Sequence, residues 1–213
     1  AAIGPAVSRT NFSDLIEAGY LVPPSIHVLR PRMPRIANAR RMAYGDLYGT
    51  AIVENHDRNR AIAAQARAWA QDGLSVLVLV AQTQHGERLL ELMPEAVFVH
   101  GGVDSAVRRE MLDHLERKLH PIMIATTLAD EGLDVPTLDA VILAGGGKSA
   151  TRLYQRIGRA LRPAPGKRCA RVLDFMDDLP YFRQHSEARL ALYRQEPCFE
   201  LSIADASPPA AGA

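Results

Sequence analysis

Leu74-Ser75-Val76-Leu77-Val78-Leu79-Val80 is the stretch on which the fold turns. A nearly continuous apolar run suits a strand covered on both faces, as in a parallel sheet between helices. Just upstream, Arg60 to Asp72 sets Ile62, Ala66 and Trp69 on one helical stripe, and Gly73 stands where a helix end favours a left-handed residue. Just downstream, Thr83 is placed to cap a helix over Glu87 to Leu92, Pro94 stops it, and Ala96 to Val99 reads as the next strand. Asp104 or Ser105 then opens an amphipathic helix with Val107, Met111, Leu115 and Leu119 at intervals of four, ended by Pro121.

Further out, Ile122 to Ala125, Ala140 to Leu143 and Ala170 to Phe175 supply three more strands, with a loop Thr126 to Thr137 and a helix Ala150 to Leu161 between them. Strands separated by helices predict an α/β fold with a doubly wound, mostly parallel sheet. Before residue 50, a short helix (Phe12 to Ala18) and a strand (Ser25 to Leu29) are expected, joined by Gly19 and the Pro23-Pro24 pair. Arg30 to Arg41 holds five arginines and two prolines, and reads as an exposed connector whose arginines form a solvated face. A helix Tyr181 to Arg194 precedes Pro197, and Ser207 to Ala213 has the composition of a disordered tail.

Composition narrows the class. The 213 residues are 47% hydrophobic and 23% charged, the balance of a soluble globular chain able to bury a full core. Lys+Arg at 25 against Asp+Glu at 24 leaves +1, so any contact with a polyanion has to be local. Cys169 and Cys198 are too few for a disulfide framework and lack zinc-site clustering, which favours free thiols in a reducing, cytoplasmic compartment. No apolar run reaches membrane-spanning length, and no signal peptide is visible, so no membrane partner is expected. The chain opens at Ala1 in text that reads as mid-domain, which suggests a piece of something longer.

Gly145-Gly146-Gly147-Lys148-Ser149 follows an apolar strand and precedes a helix, the context of a phosphate-binding loop. Such a loop needs a glycine four residues before the Gly-Lys-Ser, and that position is Ile142. The sequence therefore favours a plain glycine-rich turn at the carboxyl edge of the sheet, with Lys148 able to face a cleft there. Residues 154 to 162 read Tyr-Gln-Arg-Ile-Gly-Arg-Ala-Leu-Arg. On a helix Gln155, Arg159 and Arg162 share one face, Leu153, Ile157 and Leu161 fall opposite, and Gly158 leaves room for a partner surface or a phosphate. Read alone, His85 is a helix-face histidine, and Tyr154 and Phe175 are core.

Gln-x-x-Gly-Arg-x-x-Arg resembles motif VI of superfamily 2 DNA and RNA helicases. Ile124 to Pro136, IATTLADEGLDVP, resembles motif V of the same superfamily, and Val76 to Thr83, VLVLVAQT, resembles motif IV. His100-Gly101-Gly102 followed by Arg108-Arg109 resembles the family's HG turn with its trailing arginine. The motifs stand in family order over about residues 50 to 178, and the flavour is closest to DNA repair and phage recombination helicases of the XPB and UvsW kind. The opening Leu15 to Pro24 resembles the link from their first domain.

The resemblance implies a RecA-like three-layer α/β/α sandwich, the second of two such domains, over residues 50–180. Residues 1–49 would be a connector from a first RecA-like domain, with a short helix and a strand joining this sheet, and residues 181–213 a C-terminal helix and disordered tail. ATP with Mg2+ would sit between the domains, bound mainly by the first, because the Walker A loop and the Asp-Glu box are not in this sequence. Carried over, Arg159 and Arg162 would be arginine fingers, Gln155 would orient the nucleotide or its neighbouring arginine, and Gly132 and Asp134 would touch the nucleotide. Thr83, Gly101, Arg108 and Thr126, with Arg109, would contact a single DNA or RNA strand through its backbone. The parent would be an ATP-dependent helicase or translocase of bacterial or phage origin, and this piece alone would be inactive. Two alternatives are a self-contained P-loop NTPase using Lys148 and a non-catalytic RecA-like interaction module.

Overall fold

Every inter-strand pair in the sheet is parallel, a consequence of strands that are apolar on both faces and need helices on each side. The structure is a computed structural model and describes residues 12–126, 138–146, 157–158 and 160–205. The elements are α1 (Phe12–Glu17), β1 (Pro24–Arg30), α2 (Tyr44–Tyr48) running into a π-helical turn (Gly49–Val53), α3 (His56–Gln71), β2 (Val76–Val80) and α4 (Thr83–Leu92). They continue with β3 (Val97–Val99), α5 (Ser105–Glu116), β4 (Ile122–Thr126), β5 (Ala140–Ile142), β6 (Ala170–Phe175), α6 (Phe182–Arg194) and β7 (Glu200–Asp205). The strand order is β3-β4-β2-β5-β6-β1-β7.

Alternation along β2 divides the core. Val76, Val78 and Val80 pack with Ile62, Ala66 and Trp69 of α3 and Leu89 of α4, while Leu77 and Leu79 pack with Leu115 of α5, Ile157, Leu161 and Leu190 of α6. The three-layer sandwich follows, with the sheet buried on both sides. Of the expected helix Ala150 to Leu161, residues 157, 158 and 160 are described and are helical, with Ile157 and Leu161 buried as the stripe requires. The rest of that helix and most of the loop Thr126 to Thr137 lie outside the described residues.

The structure corrects several local expectations. α3 starts four residues earlier than its apolar stripe suggests, because the Asn55 side chain accepts the Arg58 N–H at 3.1 Å and caps it. Thr83 does not cap α4 but is its first residue, following Gln82. Asp104 does cap α5, accepting from the Ala106 N–H at 2.8 Å, and those amides hold its carboxyl below the usual range. The four-residue stripe of α5 is only partly inward: Val107 is exposed, and Leu119 lies beyond the helix end and is exposed. α6 begins at Phe182, with Tyr181 at a positive φ of 68°.

Two pieces have no counterpart in the sequence reading. β7 adds a strand beside β1, with a mostly exposed face that gives it no apolar run. A third core, Ala39, Leu47, Tyr48, Ala51, Ile52, Val53 and Phe182, gathers the segment between β1 and α3, with Met33, Ile36 and Met42 packed against it. The Arg30 to Arg41 stretch is therefore anchored by its apolar residues, while its arginines face solvent.

Candidate functional site

The order of winding reverses between β2 and β5, parallel neighbours whose connections lead to opposite halves of the sheet, and such a switch point is where open α/β sheets place ligands. The loops after β2 and β5 touch here. The Gly145 N–H donates to the Leu79 carbonyl at 2.9 Å, and a Cβ on Gly145 would sit 2.6 Å from the Ala81 nitrogen, so only glycine fits.

Beneath this turn lies a buried charged layer. Arg58, wholly buried, pairs with Asp177, donates to the Ala144 carbonyl at 2.9 Å and lies 4.0 Å over the Phe175 ring. Tyr48 donates to the Gly145 carbonyl at 3.1 Å. Arg189 makes a forked pair with Asp174 at 2.8 and 3.0 Å, and Tyr193 donates to the same carboxylate at 2.7 Å. Burial opposes the Arg189 charge, but Asp174 outweighs it and holds the guanidinium above its usual range. A charge-assisted, forked geometry with every carboxylate lobe used is what lets such pairs persist in a core. The sequence reading missed these groups, although each left a signal: Arg58 extends the Ile62, Ala66 stripe, Asp174 interrupts a strand, and Arg189 falls among Phe182, Leu190 and Tyr193.

His85 is also corrected. It is fully buried rather than on a helix face, with Nε2 against the Asn59 Oδ1 at 3.0 Å. Burial, assisted by the nearby Arg58 charge, pushes its pKa down to about 3, so the ring is neutral at any ordinary pH. Phe175 is core as read.

The candidate strand contacts converge on one edge. Val80 pairs in register with Thr126 and Val99 with Ala125, so β2, β4 and β3 end side by side and present Thr83, Thr126 and the His100-Gly101-Gly102 turn together. Thr83, Gly101 and Gly102 are exposed. Thr126 is only 4% exposed, and its hydroxyl has no hydrogen-bond partner among the described residues. The turn is shaped by the Gly102 N–H donating to His100 Nδ1 at 3.1 Å. Arg108 bends back to donate to the Val103 carbonyl at 3.1 Å, leaving its buried Nε without a partner. Arg109 is exposed, over the Ser105 carbonyl at 3.4 Å.

Arg162 lies apart from these. Its side chain is exposed, and its carbonyl accepts from Lys167 Nζ at 3.1 Å; the same ammonium bonds the carbonyls of Ala160 and of Leu138, just before β5. Lys167 thus ties the end of the Arg162 helix to the amino edge of the sheet, and burial lowers its pKa despite Asp139 nearby. Gly158 faces the chain's own Phe12, at 3.6 Å from where a Cβ would be, rather than an open space for a phosphate. Gln155, Arg159, Gly132, Asp134 and Lys148 lie outside the described residues.

A doubly wound, RecA-like α/β domain with unsatisfied polar groups along one carboxyl edge is the class that fold and site define. The model of the helicase conserved C-terminal domain matches residues 58–164, half the chain, and the chain belongs to that family, as the second RecA-like domain of superfamily 2 helicases. The ATP-dependent DNA helicase uvsW of Enterobacteria phage T4 is 32% identical over 125 residues, covering 56% of this chain and 25% of its own. A protein of Sulfolobus islandicus filamentous virus is 28% identical over 213 residues, covering 91% of this chain and 37% of its own. The crystal structure of T4 UvsW superposes with a TM-score of 0.70 at 24% identity, over 87% of this chain and 42% of that one. The chain thus spans well under half the length of these relatives.

Proposed function

We propose that this chain is the second motor domain of an ATP-dependent helicase or translocase that grips one nucleic-acid strand by its backbone. The observation that carries the strand contact is the buried, unpartnered Thr126 hydroxyl at the end of β4, beside exposed Thr83 and Gly101. A buried hydroxyl without a partner costs about 1–3 kcal/mol, a cost that a phosphate oxygen would remove by accepting from it. Gly101 with Arg108 would extend the contact along the strand, and Arg109 would add charge.

Arg159 and Arg162, with Gln155, would reach ATP and Mg2+ held mainly by a first RecA-like domain, and Gly132 and Asp134 would touch the nucleotide from this side. Guanidinium suits the task because it stays charged and forks onto phosphoryl oxygens as charge spreads in the transition state. Residues 50–180 would carry this motor function, with residues 1–49 leading in from the first domain and residues 181–213 closing the chain. The Gly145–Gly146 turn speaks against a self-contained P-loop NTPase: the amide that a phosphate cradle would need at Gly145 is spent on Leu79.

Steady-state ATP hydrolysis tests the reading. The chain alone, with or without single-stranded DNA, is expected to show no turnover. Joined to a first RecA-like domain it is expected to hydrolyse ATP, and Arg159→Ala should lower turnover by about 10³ or more. Turnover by the chain alone, abolished by Lys148→Ala, would overturn it.

A further inference from the structure

The near-zero net charge hides an asymmetry. Residues 30–41 carry five arginines and no acidic residue, so the remainder of the chain is net acidic. Arg30 reaches Asp205 at 3.8 Å; among the described residues, Arg32, Arg35, Arg40 and Arg41 are exposed and have no carboxylate within ion-pair distance. They do not hang on a loose loop. Buried Pro31 and Ala39, with Met33, Ile36 and Met42 against the third core, hold the backbone that carries them.

That core also displays aromatic rings. Tyr44 is 45% exposed and Tyr181 46%, with centroids 6.3 Å apart, and Tyr44 is braced by Phe182 at 5.5 Å and Tyr48 at 6.1 Å. Tyr181 keeps its place at φ 68°, a conformation unfavourable for a bulky side chain. The acidic groups around them are few: Asp46 on α2 is exposed, Asp177 near Tyr44 is buried and paired with Arg58, and Asp178 is occupied by Arg183. Tyr48 bonds Gly145 at the switch point, so this platform stands on the same carboxyl edge as Thr83 and Thr126.

We propose that Tyr44 and Tyr181, with Arg40 and Arg41, form a second binding surface for single-stranded nucleic acid, with bases stacking on the rings and phosphates on the guanidiniums. Unpaired arginines beside braced, half-exposed aromatics suit a flexible polyanion that carries π-faces; a duplex hides its bases, and an acidic peptide offers nothing to stack. The surface uses none of the residues assigned to strand contact above, and it revises the solvated-face reading of the arginines.

Fluorescence anisotropy with a labelled single-stranded oligonucleotide and the full chain, titrated over a salt series, tests it. Arg40→Ala with Arg41→Ala is expected to weaken binding and to reduce the slope of log affinity against log salt by about 1.4, two phosphates' worth. Tyr44→Ala and Tyr181→Ala should each cost about tenfold, while Tyr44→Phe keeps the wild-type affinity because the ring remains. Circular dichroism checks folding, and Tyr181→Ala, away from the core contacts of Tyr44, keeps the test informative if Tyr44→Ala unfolds. Loss of binding in Thr83→Ala with Thr126→Val, but none in the arginine and tyrosine variants, would sink this surface and leave the proposed function standing. Equal competition by polyglutamate would overturn it too, since a general anion patch needs no rings. Loss in the arginine and tyrosine variants with no effect of Thr83 and Thr126 would support this surface and remove the strand contact proposed earlier.

Discussion

The two edges of the sheet treat polar groups in opposite ways. At the amino edge they are consumed: Ser75 and Asp139 exchange hydrogen bonds at 3.0 to 3.2 Å, Lys118 pairs with Asp139 at 3.1 Å, Arg171 pairs with Asp72 at 2.6 Å, and Lys167 gathers three carbonyls. At the carboxyl edge the buried layer is mostly paired, although Arg58 Nε and His85 Nδ1 find no partner among the described residues. Among the described residues Thr126 also keeps an unused buried hydroxyl, Arg108 an unused buried Nε, and four exposed arginines stand without a carboxylate. The ion pairs and hydrogen bonds that hold the domain gather at the amino edge and in the buried layer, while the exposed groups of the carboxyl edge are those that the proposed function gives to a ligand.

The comparison breaks first if the layer beneath the carboxyl edge is not structural. Arg189→Met should strand the buried Asp174 carboxylate and lower unfolding free energy by about 3–5 kcal/mol in a denaturant titration. His85 sharpens the same point through pH. Its folded pKa of about 3 lies below its unfolded value of 6.5, so its contribution is complete above pH 6.5 and is lost as pH falls toward 3. Stability should decline in that window by up to about 1.4 kcal/mol per pH unit more than in His85→Gln, measured by urea titrations at several pH values.

Matched substitutions then set one edge against the other. Ser75→Ala at the amino edge should cost about 1–2 kcal/mol, because the Asp139 carboxylate loses the hydroxyl donor and the Asp139 N–H keeps only the Ser75 carbonyl at 3.3 Å, and should leave strand affinity unchanged. Thr126→Val at the carboxyl edge should be neutral or stabilising by about 1 kcal/mol, because no internal bond is lost, and should weaken strand binding in the anisotropy assay. The smallest effect is expected from Lys118→Met, a half-exposed pair that should change stability by less than about 1 kcal/mol, and less still at high salt.

What the sequence disclosed follows the strength of its periodicities. β2, β4 and β6 were legible because strands buried on both faces are written as apolar runs, and α3 and α6 because their stripes are long. β7 was not, since an edge strand with one wet face has too little pattern, and the third core was hidden under the arginines of its own segment. At the site, the resemblance to the helicase motifs implied that Thr83, Gly101 and Thr126 belong together, and strand register sets the ends of β2, β4 and β3, which they follow or close, side by side. It could not predict the Arg58, Asp177, Arg189 and Asp174 layer, because pairing across 15 to 119 residues leaves only isolated charges in apolar stripes. Nor could it show that the end of the Arg162 helix is tethered at the opposite edge by Lys167.

Amide hydrogen exchange of the chain with and without a single-stranded oligonucleotide tests the contrast between the edges most directly. Protection confined to residues 40–48, 81–86 and 99–109 and the end of β4, with residues 117–121 and 164–171 unchanged, is the result this account predicts. Protection at the amino edge, with the carboxyl edge exchanging as in the free chain, would contradict it.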